Sequence, residues 1–160
     1  MRGIVPGIDP VIGHLLRASE HIQEDIEHAI SELTVEQLWA RPRGMTPVGF
    51  HVKHLAGSIE RLCTYLAGRQ LTPAQLDALK SEGEGREPAL QLIEDVKSAL
   101  SHYGQMIRVL SPEHFGDVRE IGRKRFQTTA ISLAIHIAEH AHRHVGQAIT
   151  TAKLVRAATA

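Results

Sequence analysis

The sequence predicts an all-α fold, an antiparallel four-helix bundle with short connecting helices. Four long stretches repeat apolar residues at three- and four-residue steps, which is the spacing of one buried helix face. Segments that begin with a capping-box pattern separate them, such as Thr34-Val35-Glu36-Gln37. Four such helices bury their apolar stripes in one shared core, with one or two long crossover connections. We expect a single domain over residues 1–160.

The first half of the chain carries two of the long helices. Apolar residues at helical spacing predict the first from about Asp9 to Leu33. A short helix follows the capping box at Thr34 and ends at Arg41-Pro42. The second long helix opens at Thr46-Pro47, with Thr46 as N-cap, and closes near Gly68, a suitable residue for a left-handed helix end.

The second half carries the other two. A short helix begins at Thr72 and ends in Ser81–Arg86, which is predicted to be a solvated, mobile connection. The third long helix starts at Pro88 and stops at Ser111-Pro112. Residues 116–127 lack a helical stripe and predict a loop or a two-stranded ribbon. The last helix runs from Thr128 or Thr129 to about Lys153, and residues 155–160 are predicted to fray.

The composition excludes several classes of partner. Lys plus Arg and Asp plus Glu both number 18, so the formal net charge is zero. A neutral chain lacks the basic surface that binds nucleic acid or an anionic membrane. No apolar run reaches the ~18 residues that span a bilayer, and the first residues lack the apolar core of a signal peptide. We therefore expect a cytoplasmic protein with neither nucleic acid nor membrane as partner.

Histidine is the residue type with the greatest potential for chemistry here. There are 11 histidines but one cysteine, Cys63, which excludes an internal disulfide and a Cys-rich zinc site. Cys63 is interpreted as a small packing residue of a helix. The histidines concentrate in residues 134–147, AIHIAEHAHRHVGQ, near the C-terminus.

A helical wheel separates the histidines of this last helix. His140 and His144 share the arc that faces the core, His136 lies at its edge, and His142 points to the opposite side. Residues four apart in a helix are neighbours, so the first two can close on one metal ion. Equally, they can be core histidines that hydrogen-bond to backbone or carboxylate groups. A metal site needs a third ligand.

The second long helix is the natural source of that ligand. His51 and His54 lie three residues apart at the border of its apolar stripe, in its N-terminal half. If this helix neighbours the last one, either side chain can reach across the bundle core, where such sites are commonly built.

Two motifs resemble a known family. The stretch TPVGFHVKHLAGSIERL at residues 46–62 and the downstream HIAEHAHRHVGQ at residues 136–147 resemble the DinB/YfiT-like superfamily of four-helix bundles. In that family one histidine of the second long helix and an HxxxH of the last helix bind a divalent metal. The resemblance implies His54, His140 and His144 as ligands, with His51 and His136 as alternative ligands or groups around them.

The resemblance also implies a function. Three neutral imidazoles leave a metal an open position at which a bound water or thiol loses its proton near neutral pH. Zinc is the expected metal, with nickel, manganese or iron as alternatives. The leading expectation is a thiol S-transferase that uses a low-molecular-weight thiol, such as bacillithiol or mycothiol, and a small-molecule substrate. A metal-dependent hydrolase is the alternative, since it would use the same ligands.

A non-catalytic reading stays open beside these. In it, the protein is a stress-related bundle whose histidines bind metal structurally or not at all. Ile131 and Ile135 lie on the side of the last helix that faces away from the core. Together with the resemblance, they predict a homodimer.

Overall fold

The computed structural model describes residues 2–159 and confirms the all-α four-helix bundle with short connecting helices. The helices, in chain order, are α1 Pro10–Ile30, α2 Val35–Trp39, α3 Val48–Leu66, α4 Pro73–Ser81, α5 Ala89–Arg108 and α6 Ala130–Thr159. Short 3₁₀ turns at Pro42–Gly44 and Pro112–His114 complete the connections. In the described part of the chain, no helix is both long and apolar enough to cross a membrane.

The four long helices form a square in which α1 and α3 each contact both α5 and α6. Helices α3 and α6 are antiparallel, because His51 lies beside His144 while His54 lies beside His140. By contrast, α1 and α6 run in the same direction: Pro10 lines a groove with Ile135, and Ala29 accepts a hydrogen bond from Arg156. The connections therefore include crossovers, as predicted.

A β-hairpin links α5 to α6 and confirms the predicted ribbon. Strands β1, Val118–Ile121, and β2, Phe126–Thr129, pair antiparallel with Val118 opposite Thr129. The Thr129 hydroxyl then accepts a hydrogen bond from the Ser132 amide at 3.2 Å, which caps the start of α6 as predicted. The hairpin thus sets the point at which the histidine-bearing helix begins.

Buried aliphatic side chains from all four long helices fill the core. Tyr103 of α5 is buried there and donates a hydrogen bond to the carbonyl of Ala134 at 2.8 Å, which ties α5 to α6. Cys63 is fully buried, and burial raises its thiol pKa to about 12. The burial of Cys63 fits its predicted packing role, because a thiol with so high a pKa forms little reactive thiolate at neutral pH.

Two predicted helix ends are wrong. Pro47, not Thr46, is the N-cap of α3, because its backbone is still extended, with ψ at 152°. The last helix does not fray at residue 155 but continues to Thr159, the last described residue. Val155 is buried in the core, and Arg156 donates a hydrogen bond to the carbonyl of Ala29 at 2.9 Å. These contacts give the tail tertiary support that periodicity does not reveal.

Trp39 anchors the connection between α4 and α5. Its indole Nε1 donates a hydrogen bond to the carbonyl of Glu87 at 3.1 Å. The ring packs directly over the Cα positions of Gly49 and Gly85, where an added Cβ would clash with it. Gly85 and Glu87 are therefore held against the bundle, and Glu82, a few residues earlier, is buried inside it.

Candidate metal centre

Histidines from two antiparallel helices meet at one level of the bundle. The Nε2 atoms of His54 on α3 and His140 on α6 lie 3.3 Å apart. The ring centroid of His144, one turn further along α6, lies 4.6 Å from that of His54 and 4.7 Å from that of His140. One ligand nitrogen from each of the three lies within 4.8 Å of the others. We call these three residues the histidine triad.

The spacing of the triad suits a shared metal ion. Zinc binds imidazole nitrogen at about 2.0–2.1 Å and prefers tetrahedral geometry, so two of its ligand nitrogens lie roughly 3.4 Å apart. The 3.3 Å separation between the Nε2 atoms of His54 and His140 is close to that value. The three residues implied by the resemblance are thus the ones that the fold brings together.

A buried ion pair orients one of the triad rings. The Nδ1 atom of His54 lies 2.6 Å from Oε2 of Glu82, and Arg61 Nη1 donates to Oε1 of the same carboxylate at 2.5 Å. Glu82 is 4% exposed and Arg61 is 7% exposed. Because the carboxylate accepts the proton of Nδ1, the Nε2 lone pair of His54 is left to face the triad.

The prediction that Ser81–Arg86 is solvated is wrong for Glu82. Sequence reasoning missed this residue because a short, Gly-punctuated acidic segment is typical of a surface connection. The sequence shows only that His54, Gly57 and Arg61 share one face of α3; the need of Arg61 for an anionic partner follows from its burial, which the structure reveals. A Cβ at Gly57 would lie 2.5 Å from Oε1 of Glu82, so this glycine leaves the space that the carboxylate fills.

His51 and Phe50 contact the triad from outside. His51 is 7% exposed, and its Nδ1 lies 3.3 Å from Nδ1 of His144, so one of these nitrogens donates to the other. This contact occupies Nδ1 of His144 and leaves its Nε2 available. The Phe50 ring stacks on His54 with centroids 5.5 Å apart and planes 14° apart. Both side chains restrict the rotation of triad rings.

The other two histidines of α6 lie apart from the triad. His136 is exposed, and its ring centroid is 5.9 Å from that of His140. His142 is also exposed and lies on the opposite side of the helix, as the helical wheel predicts, with Nδ1 2.9 Å from the Ala138 carbonyl oxygen. Neither belongs to the cluster of converging nitrogens.

The surroundings of His140 and His144 favour neutral imidazoles. Burial, with the nearby charge of His54, lowers the pKa of His144 to about 4. Burial and the same neighbour also lower the pKa values of His140 and His51. Burial would raise the pKa of Glu82, but hydrogen bonds from its two partners and their charges hold it below its ordinary value. At neutral pH His140 and His144 therefore offer unprotonated nitrogens, the state that metal ligands require.

The fold and this cluster define a class of protein: a four-helix bundle with a three-histidine site between two of its long helices. The chain belongs to the DinB superfamily, whose sequence profile matches residues 18–148. No curated protein matches the chain in sequence.

Two solved structures are similar to it. A conserved protein from Enterococcus faecalis shares 16% sequence identity, with a TM-score of 0.74 over 90% of this chain and 96% of that one. YfiT from Bacillus subtilis shares 18% identity, with a TM-score of 0.65 over 99% of this chain and 94% of that one. YfiT is described as a probable metal-dependent hydrolase with an unusual four-helix bundle topology. At these identities the similarity establishes the fold alone.

Proposed function

We propose that this protein is a divalent-metal-dependent enzyme that acts on a small molecule, with His54, His140 and His144 as the metal ligands. The observation that carries the proposal is the convergence of three imidazole nitrogens, one of them oriented by a buried carboxylate. Metal-ligating histidines commonly donate their second ring N–H to such a carboxylate. Membership of the DinB superfamily and the fold shared with YfiT support the same proposal.

A divalent metal held by His54, His140 and His144 would supply Lewis acidity, which would lower the pKa of a water or thiol towards neutrality. The protein's part is to hold the ligands ready. Glu82 keeps the proton of His54 on Nδ1, and Arg61 balances the buried charge of Glu82. His51 fixes the ring of His144 through their Nδ1 contact. Preorganisation of this kind limits the rearrangement that metal binding requires.

Zinc is the metal that we propose, with nickel, manganese or iron as alternatives. Three protein ligands are the number found in catalytic zinc sites, which keep one position for water or substrate. Imidazole nitrogen suits zinc, nickel and iron alike, so geometry and availability decide among them. His51 and His136 are the candidates for a fourth ligand: His51 Nδ1 lies 3.3 Å from Nδ1 of His144, and the ring centroid of His136 lies 5.9 Å from that of His140.

Two reactions use the same ligands. Transfer of a low-molecular-weight thiol such as bacillithiol or mycothiol is the form that the family resemblance implies. Hydrolysis is favoured by the similarity to YfiT, which is described as a probable metal-dependent hydrolase. In both reactions the site activates a nucleophile, a thiol in the first and a water in the second.

The ligand assignment predicts that His140→Ala abolishes stoichiometric metal binding. Purified without a His-tag, the wild-type protein should hold about one equivalent of transition metal by elemental analysis. Zinc at about 100 times its Kd should stabilise it by about 2.7 kcal/mol, which raises Tm by roughly 5–10 °C in a chain of this size. His142→Ala, an exposed histidine of the same helix, is the control and should behave as wild type. Equal zinc binding by the two variants would contradict the assignment.

The zinc-loaded protein then separates the two reactions. Thiol-dependent consumption of a small electrophile supports S-transfer, whereas turnover of an ester or amide without added thiol supports hydrolysis. If the fully zinc-loaded protein shows neither activity, the result favours a non-catalytic, structural role of the metal.

We also propose that the protein is a homodimer. An apolar groove of about 660 Å³ lies between α1 and α6, and Val11 and Ile135 on its walls are 40% and 36% exposed. Size-exclusion chromatography with light scattering should give about twice the 17.6 kDa chain mass. Ile135→Glu should shift the protein to a monomer, while Val109→Glu, at an exposed position away from this groove, should not. A monomeric wild type would refute the dimer.

A further inference from the structure

A pocket of about 550 Å³ opens beside the histidine triad, between the 3₁₀ turn at Pro42–Gly44 and α6. His51 forms part of its wall and contacts His144, so a single side chain separates the pocket from the triad. Gly146, one turn before Thr150 on α6, also lines the pocket, and a Cβ added there would meet no atom within 4 Å. The missing side chain at Gly146 keeps this wall of the pocket open.

The pocket lining carries positive charge and hydrogen-bond donors but no carboxylate among the described residues. Arg143 is exposed at its edge and, within residues 2–159, its guanidinium makes no ion pair or hydrogen bond. The hydroxyl of Thr46 and the side-chain amide of Gln147 add neutral donors. An unpaired guanidinium beside neutral donors and no anion is suited to an oxyanion ligand.

An orphaned hydroxyl at the pocket wall points to a ligand independently. Thr151 is 1% exposed, and its Oγ1 is buried without a hydrogen-bond partner in the described part of the chain. Its neighbour Thr150 shows the usual arrangement, because that hydroxyl donates to the carbonyl of Gly146 at 2.8 Å. A buried polar atom without a partner is costly, and a rotation of Thr151 towards the pocket that it lines would let a ligand oxygen supply the missing bond.

We infer that this pocket binds a small substrate through an oxyanion group, a carboxylate or phosphate, that pairs with Arg143 beside the histidine triad. The inference rests on the proposed function, because it assigns the substrate class of that same site. Arg143 directly precedes His144 in α6. Because His51 on the same pocket wall contacts His144, an oxyanion held by Arg143 would position the rest of the substrate beside the triad, while Thr151 would bond to the same group or its neighbour.

Two probes of matched size test the charge requirement. Succinate carries two carboxylates, and succinamide is its neutral diamide. Each is titrated into the metal-free and the zinc-loaded protein while the backbone amide signals of Gly44 and Gly146 are followed by ¹H–¹⁵N NMR. We expect succinate to shift both signals and to bind at least tenfold more tightly than succinamide. Equal binding of the two probes would overturn the inference, as would shifts that avoid the pocket.

Variants identify the residues. Arg143→Gln should weaken succinate binding roughly tenfold or more, whereas Arg123→Gln, an exposed hairpin residue with the same charge change, should not. Thr151→Val should weaken it roughly threefold without lowering Tm, since the lost hydroxyl had no partner in the protein. Unchanged succinate affinity in Arg143→Gln would overturn the role of Arg143. A lower Tm in Thr151→Val would show that the hydroxyl serves the fold.

The same samples distinguish failure of this inference from failure of the proposed function. If zinc binds and depends on His140 but succinate and succinamide bind alike, the substrate class is wrong and the metal site stands. If zinc does not bind but succinate still prefers wild type to Arg143→Gln, the metal proposal is wrong and the oxyanion pocket stands.

Discussion

Glu82→Ala is expected to weaken zinc binding by about 10- to 100-fold and to lower the free energy of unfolding by about 3–5 kcal/mol. The first effect follows because Glu82 accepts the Nδ1 proton of His54 and so holds the Nε2 lone pair towards the triad. The second follows because Arg61, 7% exposed, would be left as a buried cation without its anion. One carboxylate thus serves both the site and the fold.

Zinc affinity and chemical denaturation measure these effects separately. Glu84→Ala is the matched control. It removes the same charge, but from an exposed side chain that lies two residues after Glu82. Glu82→Gln keeps one acceptor oxygen and should lie between wild type and Glu82→Ala in both measurements. If Glu82→Ala binds zinc as tightly as the wild type, Glu82 has no role in metal binding, even if the free energy of unfolding falls.

Gly57→Ala should destabilise the protein by about 3 kcal/mol. This is opposite to the usual effect, because alanine in a helix interior is normally more stable than glycine by about 1 kcal/mol. The added Cβ would lie 2.5 Å from Oε1 of Glu82 and 2.8 Å from Nη1 of Arg61, so the buried ion pair would have to separate. The substitution removes no polar group, and its effect therefore reports the space that the pair occupies.

Gly104→Ala provides the matched control in the interior of α5. A Cβ there would meet only Leu16 Cδ2, at 3.6 Å, which is an ordinary contact. This variant should be neutral or up to about 1 kcal/mol more stable. Denaturant unfolding of both variants measures the change in the free energy of unfolding, which we expect to be a loss for Gly57→Ala and no loss for Gly104→Ala. Equal stabilisation by the two substitutions would show that the pair adjusts without cost.

The fold was predictable because local signals and the global arrangement agree. Apolar residues at helical spacing identify the four long helices, and the Thr34 and Thr72 capping boxes are formed as predicted. The limits of this reasoning are visible at helix ends. Fraying of residues 155–160 is a reasonable expectation for a chain terminus, but Val155 and Arg156 make contacts that only the packed bundle provides.

The candidate site was predictable in part. Helical spacing alone indicates that His140 and His144 lie on the same face of α6, and this prediction requires no knowledge of the other helices. Choosing between His51 and His54 requires the rotation of α3 against α6, and periodicity leaves that open because both lie at the border of one stripe. The family resemblance favoured His54, and the structure brings its Nε2 to 3.3 Å from that of His140.

Glu82 could not be predicted in this way. Its partners inside the bundle, His54 and Arg61, lie more than 20 residues earlier on α3, and Trp39 fixes the same connection further on, through the Glu87 carbonyl. No local property of the segment SEGEGR signals such a contact, because its glycines and charges are those of an exposed turn.

The triad joins parts of the chain that are far apart in sequence: His54 and His140 are separated by 86 residues. No local helix formation can bring these rings together, so the cluster exists only after α3 has docked against α6 and the long intervening loop has been closed. Any spectroscopic signal that depends on all three imidazoles would therefore report completed assembly of the native chain rather than the growth of its individual helices.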